Sequence, residues 1–184
     1  SPVLIHHPED EAWFRDGRVL PSLARVTGRP AEPQPGSVRL VPSRELPSGM
    51  AVLDAPDIDS VVSANRELAT QLLAAADLWL FVTTAARYAD AIPWGLLRQA
   101  GERGTAVAIV LDRVDAPVIA DVRSDLLGML REQGLETAPV FTVPETTLGP
   151  DGLIPEPEIQ RLRSWLTALS GDERARSIID VRGN

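Results

Sequence analysis

Unbroken apolar runs alternate with segments of helical period along most of this chain. Val3-Leu-Ile-His-His7 is short and strand-like, and Pro8-Glu-Asp10 opens a helical turn running through Trp13 and Phe14. Residues 16–37 are rich in Gly, Pro, Arg and Ser and have little periodicity, which predicts a loop or irregular excursion. Residues 38–41 read as a short edge strand, with Pro42 and Pro47 bracketing the next turn. Residues 50–54 form the first convincing buried strand, because a parallel strand covered on both faces reads as a continuous apolar run. Ser60 stands as a helix cap, after which Val61, Ala64, Leu68, Leu72 and Ala75 recur at helical spacing. A second buried strand covers 77–83. Residues 89–103 then form a helix with Pro93 in its first turns and Gly104 at its stop. The third buried strand is 105–111, and residues 117–133 make an amphipathic helix with Val118, Val122, Leu126, Met129 and Leu130 on one side and Gly134 as its stop. A fourth strand at 138–143, a Pro/Gly loop at 144–157 and a helix at 158–170 with Ile159, Leu162, Leu166 and Leu169 inward complete the pattern.

Strands alternating with helices of this length predict an α/β fold, a mostly parallel sheet with helices on both faces, spanning residues 1–170. Residues 171–184 form a charged tail. A length of 184 residues makes one domain the natural expectation. The net charge of -8 argues against a general nucleic-acid binder and against an electrostatic membrane anchor. There is no cysteine, so neither a disulfide framework nor a thiolate metal site can form. No apolar run approaches the ~20 residues that cross a bilayer, and no signal-peptide pattern is seen. A cytoplasmic setting is the expectation.

Two acidic turns carry the candidate chemistry. The run Met50-Ala-Val-Leu53 ends in Asp54, with Asp57 and Asp59 in the turn that follows. The run Ala106-Val-Ala-Ile-Val-Leu111 ends in Asp112-Arg113-Val114-Asp115. In open α/β sheets, ligands bind just beyond the carboxyl ends of the strands. An aspartate there is placed to hold magnesium, which takes few protein carboxylates and keeps its waters. Taken alone, Asp54, Asp57 and Asp59 read rather as loop and cap residues before the helix at Ser60, which their types favour. Asp115 sits where a carboxylate would accept two N–H groups of guanine, and equally where an N-cap would precede Ala116-Pro117. His6 and His7, adjacent in a strand, point to opposite faces and are poorly placed to share one metal. Trp79 and Phe81 share a strand face and are assigned to the core.

Taken together, the turns resemble the Ras-like, translation-factor-related GTPase superfamily, and within it the dynamin-like and Era-like GTPases. Asp54-Ala55-Pro56-Asp57 resembles the motif D-x-x-G, and Asp112-Arg113-Val114-Asp115 resembles N-K-x-D. Thr142-Val143-Pro144-Glu145 stands where that superfamily has its S-A-K turn. Thr83 to Trp94 looks like actinobacterial members described as dynamin-family or ATP/GTP-binding proteins. The resemblance implies a GTP- or ATP-binding protein that, when intact, holds a magnesium nucleotide and hydrolyses its terminal phosphate. It implies Asp54 on the magnesium side, Asp57 at the phosphate-sensing turn, and Asp112, Arg113 and Asp115 around the base.

The departures are as informative. All 18 basic residues are arginine, so the phosphate loop G-x-x-x-x-G-K-[ST] cannot be written anywhere in this chain. Asp57 replaces a glycine near the terminal phosphate, Asp112 replaces an asparagine whose amide would donate, and Arg113 replaces a lysine. On the resemblance, the first strand, the phosphate loop and its helix precede Ser1, and the chain is a GTPase domain trimmed at its N-terminus. The missing strand belongs between the strands at 50–54 and 77–83. Its loss exposes two inner edges, which are expected to close or to be filled by another strand or a second copy. No nucleotide or magnesium is expected on this fragment alone, which is expected to be inactive. The alternative is a degenerate, non-catalytic GTPase-like module that contacts a second copy or a related GTPase.

Overall fold

The computed structural model describes residues 2–28, 34–55, 63–89 and 91–171. The protein is α/β. Its described strands divide into a mixed four-stranded sheet and a parallel three-stranded sheet, and the chain into two compact units, Ser1–Asp77 with Ser170–Asn184, and Leu78–Leu169.

The first unit contains strands β1 (Val3–His6), β2 (Ala24–Thr27), β3 (Ser37–Pro42) and β4 (Ala51–Asp54), with helices α1 (Glu11–Arg15) and α2 (Ser63–Ala75). The sheet order is β2-β3-β1-β4. β1 and β2 both run parallel to β3, and β4 runs antiparallel to β1. Register decides which side chains meet, because partners across a ladder share a face. Leu40, Leu4 and Leu53 form one such row and pack into a core with Leu20, Leu23, Val38 and Leu72. Leu68, Leu72 and Ala75 bring α2 onto that core at the spacing the sequence predicts. His6 faces inward and is fully buried, its Nδ1 donating to the His7 carbonyl at 2.8 Å and its ring tilted against Phe14.

An arginine organises the loop before β2. The Arg25 guanidinium donates to the carbonyls of Phe14 (2.8 Å), Leu20 (2.8 Å), Leu23 (2.6 Å) and Val19. Partial burial pulls its pKa down, opposed by the nearby Asp16, which raises it. Leu20 is held at a left-handed φ of 52°, a conformation that a branched side chain rarely adopts without support from its surroundings.

The second unit contains β5 (Leu78–Thr84), β6 (Ala106–Val114) and β7 (Val140–Pro144), all parallel, with α3 (Ala91–Glu102) and α4 (Ile119–Glu132) and most of α5 (Glu156–Gly171). β6 is central, and Val107 to Leu111 are all buried, as an unbroken apolar run in a parallel sheet requires. β5 differs. Trp79 and Thr83 are buried on one face, while Leu80 and Val82 on the other are 39% and 56% exposed. From α3, Trp94, Leu97 and Ala100 are buried, and Trp94 Nε1 donates to the Tyr88 carbonyl at 2.7 Å. α4 buries Leu126 and Leu130 and ends at Gly134, whose φ of 72° is the left-handed turn glycine provides. Trp165 of α5 lies 5.3 Å from Phe141, centroid to centroid.

Several sequence expectations are corrected. The stretch 16–37 is not wholly irregular, since it contains β2, a short strand followed by Gly28 and fastened through Arg25. β3 is interior rather than an edge strand, because β2 covers its outer side. β4 is neither parallel to its neighbour nor buried, and its residues alternate between half-buried and exposed. Four apolar residues ending in an acid do not by themselves distinguish a central strand from a terminal one. β6 runs on through Asp112, Arg113 and Val114, three residues past its expected end. Val118, assigned to the inner side of its helix, is 41% exposed and lies in a single 3-10 turn before α4.

Candidate nucleotide-binding site

The second acidic turn is built on three parallel strands. Register places Thr84 of β5, Asp112 of β6 and Val143 of β7 side by side, so their carboxyl ends form one rim. That is the rim at which open α/β sheets hold ligands. The β6–β7 ladder slips between Asp112 and Val114, and Arg113 bulges out of it with a left-handed φ of 50°. A non-glycine residue in that region is uncommon, and bulges recur beside functional sites because they re-aim a side chain. The bulge leaves Arg113 exposed, its Nε 3.5 Å from the half-buried Asp112 carboxylate.

Asp115 follows in extended conformation and occupies the cap position of the 3-10 turn Ala116–Val118. Only its backbone caps, with its carbonyl accepting from the Val118 N–H at 3.0 Å. Its carboxylate makes no capping hydrogen bond, and the residue is exposed. Of the two roles the sequence left open for Asp115, the structure adopts the N-cap position, through the main chain and not the side chain. Asp115 thus offers an exposed carboxylate two residues along the chain from the exposed Arg113 guanidinium. Glu145, after β7, is also exposed.

The turn after β5 is tied to α4. The Thr84 carbonyl accepts from the N–H groups of Arg87 (3.1 Å) and Tyr88 (3.0 Å). The Tyr88 hydroxyl donates to Asp125 at 2.5 Å, and this bond, above all, raises the phenol pKa from its usual value of 10.0. Asp125 belongs to an acidic side of α4, where Asp121, Asp125 and Glu132 line an open cavity of about 410 Å³. Sequence reading missed the Thr84 alignment, the Arg113 bulge and the Tyr88–Asp125 bond. Two threonines at the end of an apolar strand were a visible signal for the first. Nothing in the sequence marks the bulge, because arginine has no preference for a left-handed backbone.

The first acidic turn belongs to the other unit. Asp54 is exposed at the end of β4, in register with Val3 and, through it, with Arg39 of β3. Since β4 is antiparallel to β1, Asp54 lies at the end of this sheet where β1 and β3 begin. Asp57 and Asp59 fall outside the described residues. Among the described residues, no group of three or more His, Asp or Glu side chains is gathered to hold a metal ion. Asp54 offers one accessible carboxylate. Among the described residues, no helix is long and apolar enough to cross a membrane. No protein-family model, curated protein or solved structure matches the chain.

Proposed function

We propose that this chain is part of a nucleotide-binding protein of the GTPase kind, holding the base-reading rim but not the phosphate grip. The observation that carries the reading is the rim at the end of β5, β6 and β7. There Arg113 is thrown outward by a bulge and the Asp115 carboxylate is not used for capping. On this reading Asp115 accepts N–H groups of a purine, Arg113 stacks over it, and Asp112 orients Arg113. Asp54 is the carboxylate that stands toward magnesium in the intact protein, and Asp57 marks the phosphate-sensing turn. When bound, magnesium would neutralise charge on the terminal phosphates of GTP or ATP. This chain's own part is to position the base and one metal-side carboxylate. The absence of cysteine fits a reducing cytoplasm.

The sheet edges support the same reading. β4 and β5 follow one another among the strands of the chain, and each is the terminal strand of its own sheet. β5 carries apolar side chains on both faces, yet one face is exposed, whereas all-parallel sheets are ordinarily covered on both. Within the second unit, the resemblance calls for a further strand beside β5 and a helix over that face. Calorimetric titration of the chain with GTP and with ATP, each with magnesium, tests the division of labour. Binding is expected to be millimolar or absent, and micromolar binding would show that the phosphate grip lies within these residues.

A second reading rests on Asp112. With a carboxylate where the resemblance calls for an amide, it cannot donate to a base, and its pairing with Arg113 ties up part of the turn. A non-catalytic GTPase-like module that pairs with a second copy or a related GTPase accounts for that substitution. NMR titration with millimolar guanosine, alongside sedimentation, discriminates: shifts at residues 112–116 favour the first reading, and a concentration-dependent dimer with this rim silent favours the module.

A further inference from the structure

We draw no further inference here: the strongest candidate, the exposed apolar face of β5 bearing Leu80 and Val82, has nothing in the structure to show what covers it.

Discussion

Arg25 shows how much one side chain can decide. Its guanidinium holds four main-chain carbonyls, that of Phe14 in α1 and those of Val19, the strained Leu20 and Leu23 in the segment between α1 and β2. Arg25→Ala strips these part-buried acceptors of their shared donor, leaving the Leu20 carbonyl its bond from the Leu23 N–H, and should destabilise the first unit by about 3 kcal/mol, because a polar group left unpaired away from water costs roughly 1–3 kcal/mol. Arg25→Lys should recover little of this, since an ammonium cannot reproduce the planar fork. Denaturant unfolding of the two variants checks both expectations, and a lysine variant as stable as wild type would contradict the carbonyl-clamp account. Tyr88 gives a second test at this scale, being the only tyrosine in the chain. Its bond to Asp125 raises the folded-state pKa above 10.0. The stabilisation is therefore fully present below the unfolded value and disappears as pH rises through the folded one. Phenolate absorbance should titrate above the ordinary tyrosine range in wild type and move down toward it in Asp125→Ala. Neither contact was legible in the sequence. Arg25 lies in a segment without periodicity, and Asp125 was one acid among several on a helix flank.

Elements were more readable, with errors that follow from the physics of strands. β6 was evident because the middle strand of a parallel sheet, covered on both faces, must be apolar at every position, and its sequence is. β4 was misjudged because a short run with one face on a core can be equally apolar. β2 was missed because four residues with two polar side chains carry almost no period. The structure implies a gradient of protection. Amide hydrogens of Val107 to Leu111 in β6 should exchange most slowly in the second unit, and those of Leu80 and Val82 in β5 faster. Hydrogen exchange followed by NMR measures this, and equal protection would mean that β5 is covered in solution. Val82→Thr should change stability by no more than about 0.5 kcal/mol, as is usual for an exposed site. Gly134→Ala should cost about 1 kcal/mol: space is open around the position, so the cost is backbone strain at positive φ.

At the scale of the whole molecule, the α/β class was legible because the alternation of strand and helix survives individual mistakes. The division of the strands into two sheets was not, since pairing partners leave no trace in a single strand's composition. The candidate site was half legible. The sequence pointed to Asp112, Arg113 and Asp115 as a group, and the structure sets their turn on one rim with Thr84 and β7. It did not reveal that a bulge presents Arg113, or that Asp115 caps with its backbone alone. The claim on which the account turns is that this rim contacts a purine. NMR titration of the chain with millimolar guanosine, which carries no phosphate, tests it most directly. The account predicts shifts concentrated at the amides of residues 112–116 and of Val143, Glu145 and Thr146, and their loss in Asp115→Ala with the fold retained. Shifts elsewhere with this rim silent, or a response unchanged by Asp115→Ala, would contradict it.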